Sequence, residues 1–256
     1  MLDYDLYGAS DGRSLAYSTV NSPKSSKKLP GLVFLGGFRS DMTGTKAVFL
    51  EDWAKSQGRD FLRFDYTGHG ASSGAFEDGC IGDWIRDARD IIGALTGGPQ
   101  ILVGSSMGGW IALSLARDWP EKVAGLVGIA AAPDFTEDSM WANFDADQRA
   151  ALERDGRVEI PTEYDDQPYV ITRKLIEDGR RRLLLRDPLP LRCKVRLLHG
   201  TADADVEMSV PLRLLAHADC DDMALKLVKG ADHRFSEPGP LQEIIGAIAE
   251  VEPGGS

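Results

Sequence analysis

Apolar residues follow two alternating rhythms along this chain. Short runs with almost every position apolar, "GLVFLGG" (31–37), "QILVG" and "VAGLVGIAA", suit strands buried on both faces. Between them, "IGDWIRDARDIIGAL" spaces Ile81, Trp84, Ile85, Ala88, Ile91 and Ile92 at intervals of one helical turn, which predicts an amphipathic helix. "AVFLEDWAKSQG" predicts a helix ending at Gly58, "DFLRFDY" a strand, and "MGGWIALSLARDW" a helix stopped before Pro120. At the N-terminal end, "YDLYG" and "SLAYSTV" flank Asp11-Gly12 and predict a hairpin, followed by the polar loop "NSPKSSKKLP". Alternation of this kind implies an α/β chain with a mostly parallel central sheet and helices on both faces.

Residues 133–190 break the rhythm. They are polar, with two predicted helices and several Pro-bounded loops, too little to bury a core of their own. An insertion lying over the sheet is therefore expected within one domain spanning 1–256. The alternation resumes with the strand "KVRLLHG" (194–200), a helix near 209–217, the strand "ALKLV" and a last helix from about Pro240 to Glu250.

Composition narrows the classes of partner. A chain of 256 residues with 43% hydrophobic residues fits one large domain. Its 29 basic against 40 acidic residues, net −11, argue against a nucleic-acid surface, and the spread of the acids suits solubility. Cys80, Cys193 and Cys220 form no Cys-x-x-Cys, so neither a disulfide framework nor a zinc site is expected. The acidic start "MLDYDLYGASDGRSLAY" does not read as a leader, and no apolar run approaches the roughly 20 residues that span a bilayer. A cytoplasmic location is expected from these features, or the mitochondrial matrix for a processed eukaryotic chain; the oligomeric state is not legible.

The candidate chemistry centres on "GSSMG", residues 104–108. It fits Gly-x-Ser-x-Gly with Ser106 at its centre, between a predicted strand and a predicted helix, the setting of a nucleophile held on a sharp turn. Ser105 is flanked by Val103 and Met107 and reads as the spacer. A serine hydroxyl needs a base. Of four histidines, His233 in "KGADHRFSEPG" follows the last strand and fits the order Ser…Asp…His. His69 in "DYTGHGASSG" is its rival; His199 reads as structural and His217 as a helix-surface residue. In "HGTADADV" Asp203 is the candidate acid and Asp205 the runner-up. The oxyanion of an acyl-transfer intermediate needs two N–H donors, assigned to Met107 at the helix start and Phe38 after "LVFLGG". No Gly-Lys-Ser/Thr follows the glycine-rich "DYTGHGASSG", which excludes a phosphate loop.

With these residues quoted, the chain resembles the α/β-hydrolase superfamily over nearly its whole length: "FLGGF", "RFDYTGHGASSG", "GSSMGGW", "LLHGTAD" and "ADHRF" stand in family order. Within it the sequence is similar to the subgroup of mitochondrial palmitoyl-protein thioesterases and acyl-glucuronide esterases. The resemblance implies a triad of Ser106, Asp203 and His233, an oxyanion hole of Phe38 and Met107, no metal or cofactor, and an acylated or small-molecule substrate. It also implies that 133–190 is the lid. "DADVEMS" departs from the pattern, with Glu207 where many relatives carry Pro. Arg39 beside Phe38 is a candidate contact for an anionic substrate. Trp141, with Phe135 and Phe144, is a candidate for the acyl pocket or for packing the insertion down. The basic run "GRRRLLLRD" reads as a solvated helix end. The same fold also serves lyase or perhydrolase chemistry and non-catalytic binding.

Overall fold

The computed structural model describes residues 4–21, 29–161 and 168–254. Most of the polar loop predicted at 21–30 lies outside the described residues, as do residues 162–167 of the insertion.

The N-terminal hairpin forms as predicted, β1 (Asp5–Gly8) pairing antiparallel with β2 (Ser14–Val20). The alternation then runs β3 (Gly31–Leu35), α1 (Thr45–Ser56), β4 (Phe61–Phe64), α2 (Ile81–Leu95), β5 (Gln100–Ser105), α3 (Met107–Asp118) and β6 (Val123–Ile129). The insertion contains a π-helical turn (Thr136–Trp141), α4 (Ala146–Asp155), β7 (Arg157–Ile160), β8 (Tyr169–Thr172), α5 (Arg173–Arg180) and the two-residue β9 (Leu189–Pro190). The chain closes with β10 (Lys194–Gly200), α6 (Ser209–His217), the two-residue β11 (Ala218–Asp219), β12 (Met223–Val228) and α7 (Pro238–Val251). α7 starts two residues before the predicted boundary, because Pro238 takes a first-turn position where its missing N–H is harmless.

The eight-stranded sheet has the order β1-β2-β4-β3-β5-β6-β10-β12, and β2 alone among the described strands of this sheet runs against the others. β3, β4 and β5 are buried at every position; β3 is apolar throughout, and β4 buries Arg63 in an ion pair with Glu51. Alternate side chains go to opposite faces. Leu32 and Phe34 pack under α1 and α7 with Leu50, Ile244 and Ile248. Val33 and Leu35 face α2 and α3 with Trp84, Ile91, Trp110 and Ile111.

The insertion docks on the α2/α3 side, where Leu152, Val158, Ile171, Leu175 and Ile176 join the same core. Two helices were expected there; the structure adds the antiparallel pair β7–β8. Each strand has four residues, too few to show an alternation distinguishable from loop sequence.

Buried carboxylates lock this layer to the body. Asp178 on α5, 4% exposed, accepts the Gly82 N–H at the start of α2 (2.7 Å) and pairs with Arg182 at 2.9 Å. Arg181 also pairs with Asp178, and Arg186 with Asp134 and Asp138, so the predicted solvated basic run is tied down by acids. Asp134 holds the root of the insertion. It is wholly buried in a left-handed conformation (φ 61°) and accepts the Leu184 and Leu185 N–H groups at 2.7 and 3.0 Å. Burial pushes its carboxyl pKa up; the two N–H donors oppose that shift. Asp134→Ala leaves both N–H groups buried without an acceptor. The expected loss is about 2–4 kcal/mol, or roughly 5–10 °C in Tm by calorimetry.

Candidate active site

The turn between β5 and α3 is where the sequence motif meets the backbone. Ser106 stands there at φ 54° and ψ −117°, a strained conformation for a residue with a side chain. A Cβ at Gly104 would lie 2.3 Å from the Gly108 carbonyl oxygen, and one at Gly108 would lie 2.1 Å from that of Leu35. The glycines on either side of Ser106 are thus required by backbone meeting backbone. At Gly37 an added Cβ would meet Ser106 Cβ at 3.4 Å, an ordinary contact. Three hydrogen bonds pin the turn: the Ser106 N–H donates to Ile129 (2.9 Å), and the Ser106 carbonyl accepts from Gly109 (2.9 Å) and Ala132 (3.1 Å). Ser105 ends β5 with its residue buried, consistent with a spacer.

Asp203 and His233 come together although 30 positions apart. His233 Nδ1 lies 3.1 and 3.0 Å from the two Asp203 carboxylate oxygens. The Asp205 and Val206 N–H groups, each at 2.9 Å, donate to Asp203 Oδ1. Burial alone would raise the Asp203 pKa. The imidazole and the Val206 and Asp205 amides outweigh it, so the carboxyl is held below its usual value. Asp203 therefore adds stability above the unfolded carboxyl pKa of about 3.9 and loses it as pH falls through its own lower value. The two loops are stitched by Ala202 N–H to Ala231 (3.0 Å) and Gly230 N–H to the Thr201 hydroxyl (2.9 Å). Two residues after His233, the buried Phe235 ring joins the core on the α1/α7 side.

The other candidates are placed elsewhere or in lesser roles. His69, 3% exposed, is packed among Tyr66, Phe76 and Trp84, with Nδ1 3.3 Å from the Thr67 carbonyl. Burial drives its pKa down to about 4, so it is neutral at pH 7. His199 is buried at the end of β10 with Nε2 3.1 Å from the Val206 carbonyl, bracing the acid turn. His217 Nε2 meets the Asp187 carbonyl at 2.8 Å. Asp205 helps through its N–H and lies on the cavity wall. Asp203, Asp205 and His233 have ligand-type atoms within 4.8 Å of one another. Asp203 and His233 already engage each other, so this trio is not a free ligand set.

Ser106 and His233 both face one cavity of about 790 Å³ at the carboxyl edge of the sheet. Among the described residues no hydrogen bond within 3.5 Å joins the Ser106 hydroxyl to the imidazole, and such bonds commonly tighten only around substrate. Phe38 and Met107 flank Ser106 in space, Phe38 on the cavity wall and Met107 at the first position of α3. Phe38, Phe135, Met140 and Tyr169 give the cavity an apolar wall; Arg39 and Lys46 give it charge. Trp141 is not on that wall. It lies between Arg149 and Arg180, whose guanidinium carbons sit 5.2 and 4.4 Å from its ring centroid, and so packs the insertion. Phe144 is buried in the core.

Lys46 reads from the sequence as a structural residue of the first helix, and sequence reasoning missed two further supporting residues, Asp65 and Tyr169. Lys46 Nζ donates to the Arg234 carbonyl, tying α1 to the His233 loop, and burial lowers its pKa to about 8. Asp65 Oδ1 accepts the Met42 N–H (2.6 Å) and Oδ2 the Ala71 N–H (2.9 Å), joining the segment after Phe38 to the "TGHGA" loop. Its signal in the sequence is the tight "RFDYTGHG" spacing. Tyr169, from β8, had none. No helix among the described residues is long and apolar enough to cross a membrane.

The steric argument at the elbow separates two glycines. Gly108→Ala is expected to destabilise by about 1–3 kcal/mol in urea unfolding, since a backbone carbonyl blocks the new methyl. Gly246→Ala, on α7 with nothing within 4 Å of the added carbon, is expected to stabilise by about 0.4–1 kcal/mol.

Comparison with known proteins gives a consistent result. Residues 32–252 match the model of a family described as the alpha/beta hydrolase family. The chain is 36% identical over 239 residues to "Palmitoyl-protein thioesterase ABHD10, mitochondrial" of Rattus norvegicus, covering 93% of this chain and 78% of that one. The Homo sapiens protein of the same name is likewise 36% identical, with coverage of 93% and 76%. Among solved structures, mouse alpha/beta hydrolase domain-containing protein 10 superposes with a TM-score of 0.87 at 33% identity, covering 97% of this chain and 98% of that one. A protein of Agrobacterium vitis S4 superposes with a TM-score of 0.90 at 40% identity, covering 98% and 99%.

Proposed function

Because the chain belongs to the α/β-hydrolase family, we propose that it is a serine hydrolase of carboxylic esters or thioesters, of the acyl-protein thioesterase or acyl-glucuronide esterase type. The observation that carries this reading is the Asp203–His233 pair, at 3.0 Å, opening onto the same cavity as the strained Ser106. Ser106 attacks the acyl carbonyl while His233 Nε2 takes its proton. Asp203 holds Nδ1 protonated and steadies the imidazolium without itself taking the proton. The Phe38 and Met107 N–H groups receive the oxyanion, the latter helped by its place at the start of α3. His233 then protonates the leaving alcohol or thiol, and water repeats the sequence on the acyl-enzyme.

The chemistry needs no metal or cofactor. The apolar wall of Phe38, Phe135, Met140 and Tyr169 suits an acyl chain, and the relatives named as palmitoyl-protein thioesterases point to a long one. Residues 133–190 act as the lid over this single domain.

A fluorophosphonate probe tests the nucleophile. Labelling of wild type and its loss in Ser106→Ala is the expected outcome; equal labelling of both removes Ser106 from the mechanism. Asp203→Asn, which leaves His233 in the wrong tautomer, is expected to lower kcat by about 10⁴. Side-by-side hydrolysis of a palmitoyl thioester and an acyl glucuronide sorts the two substrate types, and failure on both rejects the subgroup.

A further inference from the structure

The residues after the elbow's partner strand show an arrangement that the mechanism above does not use. The Phe38 ring sits edge-on to four aromatic rings at once. Phe76 (4.9 Å) and Trp84 (6.0 Å) belong to the body; Phe135 (5.6 Å) and Tyr169 (6.1 Å) belong to the insertion. Edge-to-face geometry at these separations is the favourable one for aromatic pairs. The next residue, Arg39, has φ 56°, a left-handed conformation that costs a residue with a side chain about 1 kcal/mol or more. Its guanidinium carbon lies 4.7 Å from the Phe76 centroid and 5.0 Å from that of Tyr169. Two consecutive residues of one turn are thus gripped by the same pair of rings, one from the body and one from the insertion. Stacking of a guanidinium on aromatic faces supplies attraction on the scale of the backbone strain.

We propose that Tyr169 and Arg39 are positioning residues for the oxyanion turn: together they fix the Phe38 N–H relative to Ser106. The proposal rests on the serine-hydrolase reading and assigns Arg39 a role other than contact with an anionic substrate. The body alone fixes the ends of the turn. Ser40 N–H closes it onto the Gly37 carbonyl (3.2 Å), and Asp65 holds the Met42 N–H. Between those ties, the orientation of residues 38 and 39 is set by their side chains, and half of the surface they pack on comes from β8 and the start of the insertion. A donor displaced by about an ångström loses much of its effect on the transition state and little on substrate binding.

The test compares Tyr169→Leu, Tyr169→Phe and Arg39→Gly with wild type. Two butyrate esters serve as substrates, 4-nitrophenyl butyrate and 4-carboxyphenyl butyrate, and a trifluoromethyl ketone serves as tetrahedral-intermediate mimic. Arg39→Gly relieves the left-handed strain, so its fold is not at risk. Tyr169→Leu and Arg39→Gly are expected to lower kcat about 10- to 100-fold on both esters, with KM within about twofold. Ketone affinity is expected to fall by the same factor as kcat/KM. Tyr169→Phe, which keeps the ring, recovers most of the kcat lost in Tyr169→Leu. Wild-type kcat in Arg39→Gly overturns the proposal. So does a loss confined to the carboxylated ester, which would make Arg39 a substrate contact, or a raised KM at unchanged kcat, which would make Tyr169 acyl-pocket wall alone. A wild type that neither turns over the esters nor takes the fluorophosphonate label overturns the serine-hydrolase reading; an active, labelled wild type with unaffected variants overturns only the positioning role.

Discussion

The approach of α3 to the end of β3 is the constraint around which the rest is arranged. Gly108 leaves no room for a methyl against the Leu35 carbonyl, and Gly104 none against Gly108 itself. One methylene of added separation would move α3 off the sheet edge, relax Ser106 from its strained conformation and carry the Met107 N–H away from the cavity. Keeping that approach requires β3 to be buried on both faces and flanked by parallel neighbours, which is what β4 and β5 supply. It also requires the strained turn to be over-determined, and the bonds from Ser106 to Ile129, Gly109 and Ala132 do that. The fold is thus organised to hold one residue in a conformation it would not take by itself.

The loops at the carboxyl edge are fixed by a second device, carboxylates that accept backbone N–H groups. Asp65 joins two loops beside the oxyanion turn, Asp134 closes the root of the insertion, and Asp178 ties α5 to the start of α2. Asp203 uses the same trick within its own turn, through the Val206 and Asp205 amides. The four differ in their electrostatics. For Asp65 and Asp134 burial prevails and the pKa rises; for Asp178 and Asp203 the opposing partners prevail and it falls. Asp178 has a permanently charged Arg182, whereas Asp203 has a titratable imidazole that also reaches the cavity. The same amide-capped carboxylate is structural in one place and, on the proposed mechanism, part of a proton-handling pair in another, and its partner decides which.

Much of this was legible in the sequence, for local reasons. Unbroken apolar runs marked the central strands, and the helical spacing from Ile81 to Ile92 marked α2. The glycines around Ser106 announced the elbow because steric exclusion acts within five residues. Chain order favoured His233 over His69, and the structure buries His69 among rings while His233 lines the cavity that Ser106 also lines. What escaped depends on distant partners. Asp65 and Asp134 look like ordinary loop acids until the amides they accept are in place. β7 and β8 are too short to show a period. Trp141 was a fair candidate for the cavity by chemistry, but its ring packs against Arg149 and Arg180 and does not line the cavity.

The division among the insertion's aromatic residues has a mechanical consequence. Phe135 precedes the π-helical turn and Trp141 ends it, so the turn sends one ring to the cavity and the other to the arginines. The cavity-side ring then meets Phe38, whose N–H is assigned to the oxyanion. A segment that shapes the acyl wall therefore also presses on the turn that would stabilise charge. On the proposed reading, residues that would choose the substrate and residues that would set the rate share one packed cluster, since Phe38 belongs to both. Sequence change in the insertion is then never purely a change of specificity. On the proposed mechanism, a substitution that repacks Phe135 or Tyr169 shifts the ring of the residue whose backbone N–H would meet the oxyanion, so acyl selectivity and turnover would be coupled through van der Waals contact.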